Sequence, residues 1–196
     1  MSSNIYKEQE PDKEIDLRER PLVFIDLETT GLDSMQHEII EIACLVVDPQ
    51  TLEIQKEYHA KVQPEHLETA DSKSLEYNKF SPEAWKEAKP LRQMLEELNN
   101  LVPGGEFIGY NVSFDRPFIE NAIRKYRMML NFDHHWIDVM SLVYLESFFN
   151  KKLERLRLTH VCEVLGIPLK EAHTAMGDTR ATLEVYRYLK KKKGSF

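Results

Sequence analysis

The sequence predicts an α/β fold built on a mixed sheet. Three observations lead there. Three strand-like runs, Leu22–Asp26, Ile39–Val47 and Glu53–Val62, come first and are joined by short connections. From about residue 80 the apolar spacing changes from that of strands to that of helices. Two further short runs, Phe107–Tyr110 and Trp136–Asp138, are interleaved with the helical segments, the alternation of a layered α/β domain.

Leu22–Asp26 lies between Pro21 and a Thr29-Thr30-Gly31 turn. Ile39–Val47 is apolar nearly throughout, which suits a central strand covered on both faces. Asp48-Pro49-Gln50-Thr51 predicts a hairpin turn into Glu53–Val62, whose charges suit an edge. Such short links join antiparallel neighbours. Ser81-Pro82-Glu83 carries the cap and first-turn proline of a helix start. Leu91, Met94, Leu95, Leu98 and Leu101 repeat at helical spacing until Pro103-Gly104-Gly105. Ser113–Met129, Asp138–Phe149, Leu158–Leu165 and Ala175–Lys193 read as the remaining helices.

A chain of 196 residues, 42% hydrophobic and 30% charged, is enough for one sizeable core. Residues 1–20 are polar and acidic and are expected to form a flexible leader, with residues 21–193 as one domain. The leader lacks the apolar segment of a signal peptide, and no apolar run is long enough to span a bilayer. A cytoplasmic protein with no membrane association is the expectation. Cys44 and Cys162 lie in apolar segments without metal-type spacing and read as reduced core residues. A net charge of −7 argues against broad coating of a duplex. It is compatible with gripping a chain end through bound cations.

Asp26 and Glu28 end the first strand. Side chains at i and i+2 share a face, so the two carboxylates project side by side and repel. A divalent cation resolves such a pair, and oxygen ligands suit magnesium or manganese. The same spacing at Asp12-Lys13-Glu14 lies in the charged leader and reads as a solvated surface. Asp115 falls in the first turn of a predicted helix, where the helix dipole alone would favour an acid. Asn111, just before it, either orients the turn or bonds a ligand. His173 and Asp178 are five residues apart, about 140° on a regular helix, so they converge only if His173 lies in the preceding loop. A wet loop histidine is suited to taking a proton from water. His37, His59, His66, His134, His135 and His160 read as exposed histidines. The basic clusters Arg124-Lys125, Lys151–Arg157 and Lys190–Lys193 are solvated faces by default; of them, 151–157 is the best candidate to follow a nucleic-acid strand.

Three stretches together resemble the DEDDh 3′–5′ exonuclease superfamily, which includes the proofreading epsilon subunit of DNA polymerase III. They are Asp26-Leu27-Glu28-Thr29-Thr30-Gly31-Leu32, Asn111-Val112-Ser113-Phe114-Asp115, and His173 with Ala175 and Asp178. The resemblance covers roughly residues 20 to 190. Tyr110 stands where a histidine is common, and Thr179 where alanine is common. The resemblance implies a ribonuclease H-like fold: a five-stranded mixed sheet, flanked by helices, whose second strand runs against the rest. It implies two divalent ions, Mg2+ or Mn2+, about 3.5–4 Å apart. Asp26 would bridge them, Glu28 and Asp178 would hold the ion that activates water, Asp115 would reach the other, and His173 would be the general base. The implied substrate is the 3′ end of single-stranded nucleic acid, and a DNA polymerase is the implied partner. Thr29, Thr30 and Gly31 would offer backbone N–H groups to the terminal nucleotide. Leu32 and Phe114 would sandwich its base, or else they are ordinary core residues. Oligoribonuclease-type enzymes usually carry Met where Thr29-Thr30 stands, which ranks that substrate class lower. A catalytically silent binding module of the same fold would be expected to lack at least one of the five site residues.

Overall fold

The computed structural model describes residues 5, 6, 16, 18–101, 103–170 and 173–193. Five strands form one sheet: β1 (Leu22–Thr29), β2 (Ile39–Val47), β3 (Ile54–Lys61), β4 (Glu106–Gly109) and β5 (Trp136–Asp138). Their order is β3-β2-β1-β4-β5. β2 runs antiparallel to both neighbours, while β1, β4 and β5 are parallel. This is the mixed, ribonuclease H-like sheet that the resemblance implies.

Helices cover both faces. Val23, Ile25 and Leu27 of β1 join one core with α2 (Leu91–Asn99) and α3 (Val112–Lys125). Leu22 and Phe24 join the other with α4 (Val139–Ser147), α5 (Leu158–Leu165) and α6 (Ala175–Lys193). The alternation along β1 thus assigns sides. Asp26 and Glu28 have the parity of Leu22 and Phe24, so they emerge on the face that α6 covers.

Ser81–Glu87 is not the predicted helix but a run of turns. The Ser81 hydroxyl does accept from the Ala84 N–H at 3.1 Å, as a cap would. Trp85 is buried, however, and its indole N–H donates to the Ile40 carbonyl at 2.8 Å. Lys89 then pairs with Lys61 and Gln63, and Pro90 follows. A residue before proline is steered away from helix, so the chain joins the sheet edge instead. A short helix that the apolar pattern did not signal, α1 (Ser72–Tyr77), is capped by the Asp71 carboxylate and buries no residue. α3 ends at Lys125, short of Met129, because Arg127 takes a left-handed conformation and Met128 donates back to the Ile123 carbonyl.

Residues 1–4, 7–15 and 17 of the expected leader lie outside the described residues. Ile5 and Tyr6 are buried against the domain: Leu130 donates to the Ile5 carbonyl, and the Tyr6 hydroxyl donates to Glu120 at 2.8 Å. At these two positions the chain is tied down. Cys44 and Cys162 are buried free thiols. No helix among the described residues is long and apolar enough to cross a membrane.

Candidate active site

Four acids meet near the C-terminal end of β1. β1 extends through Thr29, three residues beyond the predicted end, so Asp26 and Glu28 sit within a paired strand. Asp178 lies in the first turn of α6, on the face that their parity selects. Carboxylate oxygens of Asp26, Glu28 and Asp178 lie within 4.8 Å of one another. Asp115 arrives from the first turn of α3 and is almost fully buried. Its Oδ1 accepts the Leu27 N–H at 3.1 Å, which fixes it against the backbone between Asp26 and Glu28. The helix dipole is therefore only part of what places this acid.

The electrostatics are those of a site that could hold cations. Asp26 is held well above the usual carboxylate range, first by burial, then by Asp115, Glu28, Asp178 and Glu41. Glu28 is pushed up to about 8 by burial and by repulsion from Asp178, Glu41 and Asp115. Burial raises Asp115 to about 7 against the pull of N–H groups from Leu27 and its own backbone. Burial also raises Asp178, while the His173 N–H and imidazole pull the other way. Glu41, directly opposite Glu28 on β2, is a fifth acid that the sequence did not single out. Four hard-oxygen side chains repelling one another match the ligand set of a divalent ion such as Mg2+ or Mn2+.

His173 sits in the loop before α6 with a left-handed backbone, φ 66°. Its backbone N–H reaches Asp178. Its Nδ1 is hydrogen-bonded to the hydroxyl of Tyr77 at the end of α1, and the two rings lie 4.5 Å apart. Tyr77 is the site residue that sequence reasoning missed. So is Asn78, whose amide donates to the Thr29 carbonyl at 2.9 Å.

A cleft of about 390 Å³ opens beside Glu28 and is lined by Leu27, Thr29, Leu32, Tyr77, Asn78 and Phe114, with Lys73 and Ser74 at its margin. Leu32 is 79% exposed, so it is no core residue. Phe114 packs on Phe118, with ring centroids 5.2 Å apart, and also lines the cleft. Thr29 and Thr30 serve the turn itself. The Thr29 hydroxyl donates to the Gly31 carbonyl at 2.7 Å, and the Thr30 hydroxyl accepts the Glu38 N–H at 2.9 Å. The Thr30 N–H is bonded to the Glu38 carbonyl at 2.8 Å, so it is not the free donor the sequence suggested. Gly31 is required by contact: a Cβ there would stand 2.4 Å from the His37 ring. Asn111 takes a left-handed turn (φ 67°) and accepts from the Ser113 hydroxyl at 2.7 Å, which carries the turn-orienting role. His59, read as an exposed histidine, lies on β3 with its Nε2 2.8 Å from Glu41.

The profile of the RNase_T exonuclease family matches residues 23–186, a span that takes in both acids of β1, Asp115, His173 and Asp178. The chain belongs to the RNase_T exonuclease family. Its motifs are those of the DEDDh-type 3′–5′ exonucleases, and it is an exonuclease domain. This RNase_T domain is 30% identical over 164 residues to a PolC-type DNA polymerase III of Thermotoga maritima, covering 84% of the chain and 11% of that protein. It is 27% identical over 166 residues to the PolC-type polymerase of Bacillus subtilis, with 85% and 11% covered. Among solved structures, E. coli exonuclease I with a dT13 oligonucleotide matches with a TM-score of 0.79 at 17% identity, covering 89% of the chain and 42% of that chain. A zinc-bound exonuclease I complex with single-stranded DNA matches with a TM-score of 0.80 at 18% identity, with 90% and 42% covered. At these identities the structural likeness shows the shared fold.

Proposed function

We propose that this domain is a metal-dependent 3′–5′ exonuclease that removes nucleoside 5′-monophosphates from the 3′ end of single-stranded DNA or RNA. The carrying observation is the convergence of Asp26, Glu28 and Asp178 within 4.8 Å, with Asp115 fixed behind them. Asp26, Glu28 and Asp178 would hold one divalent ion, and Asp26 with Asp115 a second. Bound Mg2+ or Mn2+ would supply Lewis-acid activation of water and charge neutralisation at the phosphate. The side chains do the rest. The Tyr77 hydroxyl holds the His173 ring through Nδ1, which leaves Nε2 to take the proton of the attacking water. Water oxygen bonds to phosphorus, the bond to the 3′ oxygen breaks, and that oxygen leaves with a proton from solvent. Leu32 and Phe114 line the cleft in which the terminal base stacks, an interaction worth about 1–3 kcal/mol and tolerant of sequence.

The PolC-type relatives support a DNA polymerase as partner, and the dT13 complex of exonuclease I supports a single strand as substrate. Two buried free thiols suit a reducing cytoplasm. The test is magnesium-dependent release of mononucleotides from end-labelled single strands of DNA and RNA. Asp26→Ala should abolish it; full activity in that variant would refute the assignment. Relative rates on a dinucleotide and a long strand separate this reading from an oligoribonuclease.

A further inference from the structure

The exonuclease reading leaves the basic segment before α5 without a role, and the fold gives it one. Arg155, Arg157, Thr159, His160 and Glu163 line a cleft of about 520 Å³. Arg155 and Arg157 are both exposed. Elsewhere the arginines are largely spent on carboxylates: Arg20 on Asp133, Arg124 on Glu120, Arg180 on Glu57 and Arg187 on Glu184. Among the described residues neither Arg155 nor Arg157 forms an ion pair, although the chain carries a net charge of −7. Two adjacent guanidinium groups left open in one concavity, with Glu163 as the only acid lining it among the described residues, make an anion site rather than a solvated face.

The segment is fixed relative to the acids. Leu156, between the two arginines, packs into the core under α5 and α6, and its carbonyl accepts the hydroxyl of Tyr110. Tyr110 directly precedes the Asn111–Asp115 motif. The residue that departs from the common histidine therefore ties the basic segment to the strand-to-helix turn that delivers Asp115. On the other side, the Tyr77 phenol lies within the field of Arg157 and also of Asp178, Glu28 and Asp26. Arg157 and the acid cluster thus act electrostatically on the same hydroxyl.

We propose that the Arg155–Arg157 cleft holds the phosphodiester backbone of the single strand on the 5′ side of the nucleotide being removed. Arginine forks match phosphate oxygens, and the contact reads no sequence. This rests on the exonuclease reading above, and the test separates the two. Arg155→Glu and Arg157→Glu are compared with Arg127→Glu, an equal charge change at an exposed arginine beyond the end of α3. The first measurement is fluorescence anisotropy of a labelled single strand with calcium in place of magnesium. Each cleft variant should lower affinity roughly tenfold and reduce the slope of log affinity against log salt by about 0.7, the loss of one phosphate contact. The second is the ratio of kcat/KM on a long strand to kcat/KM on the p-nitrophenyl ester of thymidine monophosphate, which has no upstream phosphate. That ratio should fall roughly tenfold in the cleft variants and stay at the parent value in Arg127→Glu. Equal weakening in all three variants, or an unchanged ratio, overturns the cleft. If the parent hydrolyses neither substrate, the exonuclease reading fails while the anisotropy still decides the cleft.

Discussion

Replacing Glu28 by Gln should make the metal-free protein more stable while it removes activity. Glu28 is raised from 4.5 to about 8, chiefly by burial and then by Asp178, Glu41 and Asp115. Between those values the folded chain holds a proton that the unfolded chain has released. Its contribution is therefore fully present below pH 4.5 and lost as pH rises through about 8. At about 1.4 kcal/mol per tenfold change in proton affinity, the penalty has an upper bound of roughly 5 kcal/mol. Glu28 keeps some contact with water and shares the repulsion with its neighbours, so the expected gain is about 1–3 kcal/mol near pH 8. For a chain of this size that raises Tm by roughly 2–12 °C. The assay is thermal unfolding of parent and Glu28→Gln in chelator across pH 5 to 8. The two should converge at the acid end and separate towards pH 8, with the variant above the parent. Saturating magnesium should restore the parent by roughly 3 kcal/mol at a hundred times its Kd and the variant by less. Parallel pH profiles, or a variant less stable than the parent near pH 8, would refute the electrostatic account.

Tyr77→Phe removes the hydroxyl that orients His173. It should lower kcat roughly tenfold with KM little changed and alter the acid limb of the pH–rate profile; an unchanged profile removes Tyr77 from the site. Gly109→Ala would place a Cβ 2.9 Å from Val112 Cγ1 and 3.2 Å from the Ile25 carbonyl oxygen. Overpacking against backbone should cost about 1–3 kcal/mol in denaturant melts, and a neutral effect would show that β1 and β4 can part there. Gly31→Ala should cost a similar amount through His37, and His37→Ala should recover most of it; strictly additive losses would rule out that contact.

The sheet was legible because its strands are short apolar or β-favouring runs with turn residues between them. Ile39–Val47 and Trp136–Asp138 have the bounds read from sequence, as do Leu158–Leu165 and Ala175–Lys193. The four acids and His173 were legible from strand parity, loop placement and motif likeness. What was hidden is long-range. Tyr77 reaches His173 across 96 residues, and nothing local marks it. Its helix, α1, has no apolar stripe because it buries nothing, and the capping Asp71 was its one local signal. Ser81-Pro82 carries a true capping signal, yet the burial of Trp85 against β2 and the Lys61–Lys89 pairing override it. Glu41 and His59 lie on neighbouring strands, and their meeting depends on register.

The same repulsion separates an enzyme from a silent binding module by prediction. Phosphates entering the cleft beside Glu28 would approach a cluster of half-buried acids. Two like charges 4 Å apart cost about 1 kcal/mol even in water and more in a partly buried site. Without cations, and at a pH alkaline enough to ionise the cluster, each acid removed should therefore improve strand binding roughly fivefold. With cations the sign should reverse, because on the proposed reading Asp26, Glu28, Asp115 and Asp178 would hold the charges that attract the phosphate. Asp26→Asn should bind a labelled single strand more tightly than the parent in chelator and less tightly in calcium. A crossing of the two binding curves is the mark of a metal-loaded site. A binding module that uses only its basic surface would give curves for parent and variant that keep the same order in both buffers, and that outcome would remove the metal from the mechanism.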